Sequence, residues 1–251
     1  MQLTKSIDDS RILFLDAECV SGEPDFELLS DDMKALWRHK AKSVLRTTEF
    51  TEEELRESYT NNAGIYAEFG KIVCISVGFI YIDKAKGNLK SIKLKSFAGP
   101  DEDILLQDFA DLLNNYYPNA SKGYICGHNI KEFDIPYICR RMLINGIALP
   151  NIIDVAGKKP WETAHFLDTM EMWKFGDRKS FTSLKLLAAV LGFPSPKDDI
   201  DGSEVGRVFW EDNDIDRISL YCEKDVLATA QLYLRLSLKP LLDPEHVVHV
   251  P

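Results

Sequence analysis

The sequence predicts an α/β layered domain, and three observations carry that reading. Four apolar residues in a row, Ile12 to Leu15, run straight into Asp16-Ala17-Glu18, the pattern of a buried strand ending in acids. Lys71 to Ile82 is almost continuously apolar and β-rich, and Leu89 to Phe97 alternates, so the two form a hairpin. Short strands at 124–126 and 165–168 then alternate with helices of clear apolar period. That alternation suits helices layered on a sheet. The strands number five: 11–17, 71–82, 89–97, 123–127 and 165–168.

Composition narrows the class. The chain has 251 residues, 45% hydrophobic and 28% charged, which is ordinary for a soluble globular protein. No apolar run approaches the roughly 20 residues of a membrane span, and the polar start lacks a signal-peptide core. Neither a membrane nor a secretory role is expected. Five cysteines lie at 19, 74, 126, 139 and 222 with no C-x-x-C. They read as reduced core thiols, without a disulfide framework or zinc site, and point to the cytoplasm. A net charge of −10 argues against bulk attraction to nucleic acid. It leaves room for an enzyme that reaches the backbone through bound cations.

Residues 1–10 read as a polar lead-in. The segment 19–66 opens with turn residues Ser21 to Asp25 and continues as polar helix. Thr51-Glu52-Glu53-Glu54 gives a capping box for a second helix. We read 19–66 as a helical insertion, either a solvated decoration or an arm over the substrate. Lys86-Gly87-Asn88 turns the hairpin. Asp101 to Tyr117 is an amphipathic helix. Gly127-His128-Asn129 closes the fourth strand, and 132–145 is a helix with Pro136 tolerated in its first turn. Ser180 caps a helix stopped by Gly192. Helices at about 203–211 and 214–236 follow, and the tail after Lys239 reads as weakly ordered. No repeat, low-complexity tract or linker divides the chain, so 1–251 is taken as one domain with its core at about 11–236.

The acids are placed unusually. Asp16 and Glu18 share one strand face, because side chains at i and i+2 point the same way. Such carboxylates either end in a solvated loop or need a compensating cation, for which a divalent metal is suited. Asp134 sits in the first turn of the helix after Asn129, where an acid also suits the helix dipole. Polar residues there line the carboxyl edge of the sheet, where ligands of α/β folds bind. Asp225 falls on the packing face of the last long helix, one turn after Tyr221. Asp16, Glu18, Asp134 and Asp225 are thus candidates for one hard-metal site. Two metals about 3.5–4 Å apart are the usual arrangement for attack on a phosphodiester. Tyr221, one turn before Asp225, is the candidate to orient the attacking water by a hydrogen bond.

Three ordered motifs now resemble a known family. Asp16-x-Glu18, Asn129 to Asp134 ahead of Pro136, and Tyr221-x-x-x-Asp225 are similar to the motifs of DEDD-type 3′–5′ exonucleases. Tyr221 selects the tyrosine branch (DEDDy). Phe133-Asp134-Ile135-Pro136 and Tyr221-Cys222-Glu223-Lys224-Asp225-Val226 look like the exonuclease domain of family-B DNA polymerases and stand-alone bacterial relatives. The resemblance covers roughly 11–236. It implies a ribonuclease H-like fold, a five-stranded mixed sheet flanked by helices, with the middle strand of the first three antiparallel. It also implies two ions of Mg²⁺ or Mn²⁺. Asp16, Glu18 and Asp225 would hold the tighter ion, and Asp16 would bridge to the second with help from Asp134. Glu18 would also touch the 3′-terminal nucleotide or the water. The implied activity is removal of nucleotides from the 3′ end of single-stranded nucleic acid, DNA before RNA. The long insertion and the lack of a polymerase domain depart from the family, so a proofreading role does not carry over.

Other residues admit two readings. Asn129 and Phe133 are candidate substrate contacts, and Phe133 and Phe181 either stack on a terminal base or pack in the core. His128 is a loop histidine bonded to backbone or a base. Lys174, Arg178, Lys179 and Lys185 either track phosphates or form a solvated face. Asp168 ends the fifth strand and is left outside the catalytic set. The competing functions are an exoribonuclease and a catalytically silent nucleic-acid-binding module; protein partners are left open.

Overall fold

A strand buried on both faces has to be apolar almost throughout, and the first two strands are. In the computed structural model, which describes residues 7–83, 89–177, 179–194 and 200–250, they are β1 (Ile12–Ser21) and β2 (Gly70–Asp83). The others are β3 (Leu89–Ala98), β4 (Tyr124–Gly127), β5 (Phe166–Asp168) and β6 (Val247–Val250). They form one sheet in the order β5-β4-β1-β2-β3-β6. β2 runs antiparallel to β1 and β3, while β4, β5 and β6 run parallel to their neighbours. This is the mixed α/β architecture expected of the ribonuclease H-like class, with six strands described in place of five.

Two layers of helix cover the sheet. Leu13, Leu15, Ile75, Val77 and Ile125 face α3 (Glu102–Tyr116) and α4 (Asp134–Ile144). Ile12, Phe14, Ile80 and Cys126 face the long α7 (Ile215–Leu236), through Val226, Ala230, Tyr233 and Leu234. The helix comes close because β2 carries Gly78 beneath it. A Cβ there would stand 2.8 Å from Val226 Cγ1. On the other face, Arg141 of α4 forks onto Glu102 of α3, at 2.9 Å from Nε and 2.5 Å from Nη2. Glu102 also accepts from Ile72 N at 2.6 Å and Asn145 Nδ2 at 3.0 Å. One carboxylate thereby ties α3, α4 and β2 together.

Several boundaries differ from expectation. β1 does not stop at residue 17. Cys19, Val20 and Ser21 pair with Ile72, Lys71 and Gly70, with a bulge between Glu18 and Cys19. The helical segment therefore begins after Ser21. It holds α1 (Asp31–Val44) and α2 (Glu52–Asn62), the latter opened by the expected capping box at Thr51 and Glu54. The pair has its own core, with Phe26, Trp37, Ala41, Leu55, Tyr59 and Ala63 buried. Trp37 lies 5.3 Å from the Tyr59 ring and 5.0 Å from Phe69, and its Nε1 donates to Ser58 Oγ at 3.2 Å. The segment is stitched back beside the end of β1. A Cβ on Gly64 would meet Val20 C at 3.0 Å, and Tyr137 Oη donates to Gly64 O at 2.7 Å.

Further along, Asp168 caps a helix that the sequence did not suggest, α5 (Thr169–Lys174). The cap of α6 (Leu184–Leu191) is Ser183, not Ser180, with its hydroxyl taking Leu186 N at 3.3 Å. The expected helix near 203–211 is a short α-turn at Val205–Arg207 followed by a π-turn at Val208–Asp212. The tail is the largest correction. In place of a loose end it supplies β6, paired with Ile92 to Lys95 of β3. Gln231 clamps Leu242 through both of its amide groups, at 2.8 and 3.0 Å. His249 is bonded to Glu223, which also accepts from Ser96 Oγ at 3.0 Å. Four residues are too few for propensity to decide; the open edge of β3 and these side chains decide it. The expected turn at Lys86-Gly87-Asn88 and Arg178 lie outside the described residues, as do residues 1–6 and 195–199.

The Glu102 hub gives a stability test. Arg141→Ala leaves that carboxylate buried without its cation, so it is expected to cost about 3–5 kcal/mol in urea unfolding. A loss under about 1 kcal/mol would show the pair to be peripheral.

Candidate metal centre

The site grows out of the last turns of β1. Alternation sends Ile12 and Phe14 to the α7 side, and Asp16 and Glu18 follow in the same register. Glu18 is 8% exposed and Asp16 half-buried. Past Phe14, β1 no longer pairs with β4, and α4 begins there. Its first residue, buried Asp134, accepts a hydrogen bond from Ala17 N–H. From the other layer α7 brings Tyr221, Cys222 and Asp225 over the same strand end. Cys222 Sγ donates to Asp16 Oδ2 at 3.5 Å, and the Tyr221 hydroxyl is hydrogen-bonded to half-buried Asp225.

Electrostatics shows that the four acids share one environment. Burial holds the Asp16 carboxyl well above its ordinary range, and the charges of Glu18, Asp134 and Asp225 push it further. Glu18 is likewise raised, first by burial and then by Cys74, Asp225 and Asp134. Burial lifts Asp134 to about 7, opposed by backbone N–H bonds and aided by Asp168. The Tyr221 phenol is raised by burial and by Asp225, Glu18 and Asp16. In direct ligand range the grouping is narrower. One ligand atom each from Asp16, Glu18 and Cys222 lies within 4.8 Å of the others. Asp134 and Asp225 complete the charge around this trio without belonging to it.

The carboxylates of this group, taken without the thiol, fit a hard divalent cation. Carboxylates that each raise a neighbour's pKa are what such an ion relieves. Cys222 is the member that sequence reasoning missed. A thiol on a buried helix face suggests core, and the signal that points beyond that is its place three residues before Asp225 on one helix face.

The other candidates sort by their contacts. Asn129 adopts a left-handed turn at φ 67, which asparagine tolerates, and its N–H donates to Asp168 Oδ1 at 3.1 Å. Asp168 also accepts from Lys131 N, Met170 N and Glu171 N at 3.1, 2.9 and 3.2 Å. It fixes the loop that leads into Asp134. Phe133 is half-buried, with its ring 5.5 Å from Tyr137. Phe181 is 65% exposed under Lys174 Nζ at 4.0 Å, so it is not a core residue. Both His128 ring nitrogens are engaged, with Thr169 Oγ1 and Thr182 O, each at 2.9 Å. That suits a structural loop histidine rather than a base.

Comparisons with known proteins add a family. A family model described as "Predicted 3'-5' exonuclease related to the exonuclease domain of PolB" matches residues 65–247. The match includes Asp134, Tyr221 and Asp225 but starts after Asp16 and Glu18. Among solved structures, the chain is similar to the family B DNA polymerase from the hyperthermophilic archaeon Pyrobaculum calidifontis. The identity is 14% and the TM-score 0.47, over 90% of this chain and 27% of that one. No curated protein matches. Among the described residues, no helix is long and apolar enough to cross a membrane. The family match spans well over half of the sequence, and the chain therefore belongs to the family of 3′–5′ exonucleases related to the exonuclease domain of PolB.

Proposed function

We propose that the protein removes nucleotides from the 3′ end of single-stranded nucleic acid, DNA before RNA, with two Mg²⁺ or Mn²⁺ ions held by Asp16, Glu18, Asp134 and Asp225. The observation that carries the reading is the environment of Asp16 and Glu18 at the end of β1, buried and with the charges of Asp134 from α4 and Asp225 from α7 raising both carboxyls. The relation of the family to the PolB exonuclease domain favours DNA. When bound, such ions supply a water of lowered pKa and stabilise the leaving oxygen.

The chain's own groups do the rest. Asp16, Glu18 and Asp225 would hold the tighter site, and Asp16 with Asp134 the second. Tyr221 keeps its proton at neutral pH, because burial and Asp225 both raise its phenol. Its O–H donates to Asp225, so the phenolic oxygen has lone pairs left to accept from the attacking water and aim it. Asp168 serves from behind by holding the loop before Asp134. Asn129 acts through its backbone turn, and Phe133 offers a ring edge beside Asp134 for a terminal base.

Labelled oligonucleotides test this. With Mn²⁺ or Mg²⁺, 5′-labelled DNA is expected to give a descending ladder and 3′-labelled DNA to release nucleoside 5′-monophosphate first. Asp16→Ala and Asp225→Ala are expected to lose about a thousand-fold in rate, a few kcal/mol of transition-state stabilisation. Tyr221→Phe is expected to lose about a hundred-fold in kcat with little change in KM. No ladder on any substrate, or activity surviving Asp225→Ala, would contradict the mechanism. Faster degradation of RNA would leave the chemistry standing and reassign the substrate.

Stability should follow the same charges. An acid whose folded pKa exceeds its unfolded value contributes stability below the unfolded pKa, and that is lost as pH rises through the folded value. For Asp134 the window runs from its ordinary 3.8 to about 7, and Asp16 and Glu18 shift in the same direction. In chelator, the melting temperature of Asp16→Asn should therefore gain on wild type as pH rises above the ordinary carboxylate range, and stand several degrees higher at neutral pH. About 1 kcal/mol corresponds to about 2–4 °C at this size. Mn²⁺ should raise wild type and leave Asp16→Asn nearly unmoved. A pH-independent difference between the two proteins would refute the shared strain.

A further inference from the structure

Cys222 has no part in the proposed hydrolysis, yet its thiol lies within ligand range of both acids of β1. Its Sγ stands 3.5 Å from Asp16 Oδ2 and 3.5 Å from Asp16 O. Among the described residues, Asp16, Glu18 and Cys222 are the one trio of metal-ligating side chains with ligand atoms within 4.8 Å of one another. Fully buried Cys222 is held there by helix register and packs with Val20, Cys74 and Ile218.

The spacing has a chemical meaning. Around a tetrahedral zinc ion, with Zn–S about 2.3 Å and Zn–O about 2.1 Å, adjacent sulfur and oxygen ligands lie about 3.6 Å apart. The Sγ to Oδ2 distance of 3.5 Å, here spanned by a thiol hydrogen bond, is close to that edge, so a cation would take the place of the proton with little movement of either group. Octahedral Mg²⁺ uses oxygen at about 2.1 Å and sets adjacent ligands about 3.0 Å apart, with no use for sulfur. Carboxylates alone favour Mg²⁺ and Mn²⁺, whereas a thiolate beside them moves preference toward softer ions.

We propose that Asp16, Glu18 and Cys222 form a three-ligand site for a thiophilic divalent cation of the zinc class, which displaces the hard cations and switches the nuclease off. The proposal rests on the reading of Asp16 and Glu18 as metal ligands. Binding would replace the Cys222 S–H bond with a metal–sulfur bond, and the proton would pass to solvent. Asp16 and Glu18 serve both kinds of ion, so occupancy by one excludes the other. The fourth tetrahedral position stays open to water.

Cobalt(II) is the probe, because a thiolate bound to it gives a near-ultraviolet charge-transfer band whether or not the protein hydrolyses anything. The full chain is titrated with Co²⁺ and then with Zn²⁺. Wild type and the remote-thiol control Cys139→Ser are expected to show the band, and an equivalent of Zn²⁺ should bleach it. Cys222→Ser should lose the band and bind Co²⁺ at least 10-fold more weakly. Co²⁺ bound without the band in wild type, or a band surviving in Cys222→Ser, would overturn the proposal. Should Cys222→Ser fail to fold, the zinc form of wild type decides by X-ray absorption. One sulfur at about 2.3 Å, with affinity falling at least 10-fold in Asp16→Asn, supports the site; a shell of oxygen and nitrogen only, or unchanged affinity, overturns it. Mn²⁺-dependent degradation without a sulfur band would refute the zinc site alone. A sulfur band without degradation would refute the nuclease reading alone.

Discussion

Repulsion between carboxylates in a poorly hydrated place is the constraint on which the rest of the molecule depends. Asp16 and Glu18 leave β1 on the α7 face, and Asp134 and Asp225 close on them from two different layers. Left to themselves such groups would protonate or move apart. The fold prevents separation. β1 is wedged between β2 and β4, α7 is pulled down over Gly78, and Asp168 pins the loop before Asp134 with its carboxylate. The acids are therefore held together, the arrangement that the proposed cations would relieve.

That arrangement explains features that look unrelated. The bulge after Glu18 lets β1 continue to Ser21 while its acids keep facing α7. Bulges commonly re-aim side chains beside functional sites. The segment holding α1 and α2 brings its own aromatic core, so it sits beside the strand end without drawing on the main core. The Glu102–Arg141 hub secures the start of β2 opposite that same strand end. A net charge of −10 becomes compatible with a polyanionic substrate once cations mediate contact.

Much of this was legible in the sequence because it is periodic. The alternation in β1 put Asp16 and Glu18 on one face, and the helical period put Tyr221 and Asp225 on the packing face of α7. The capping box at Thr51 and the antiparallel hairpin of β2 and β3 were equally local. What escaped depends on contacts between distant parts of the chain. β6 exists because β3 has an open edge and Glu223 reaches His249. The length of β1 is set by its pairing with Gly70 to Ile72. Ser183 rather than Ser180 caps α6, a choice between serines three apart that no pattern decides. Cys222 looked like core because a thiol on a buried helix face normally is; only the approach of Asp16 gives it another meaning.

The most direct measurement is calorimetric titration of Mn²⁺ into the metal-free chain in the presence of a nucleoside 5′-monophosphate, compared with Asp16→Asn. One carboxylate shared between two ions predicts two equivalents bound by wild type and loss of both by the single substitution. Undiminished Mn²⁺ binding by Asp16→Asn would contradict the account, because the acids at the end of β1 would then not be where the cations go.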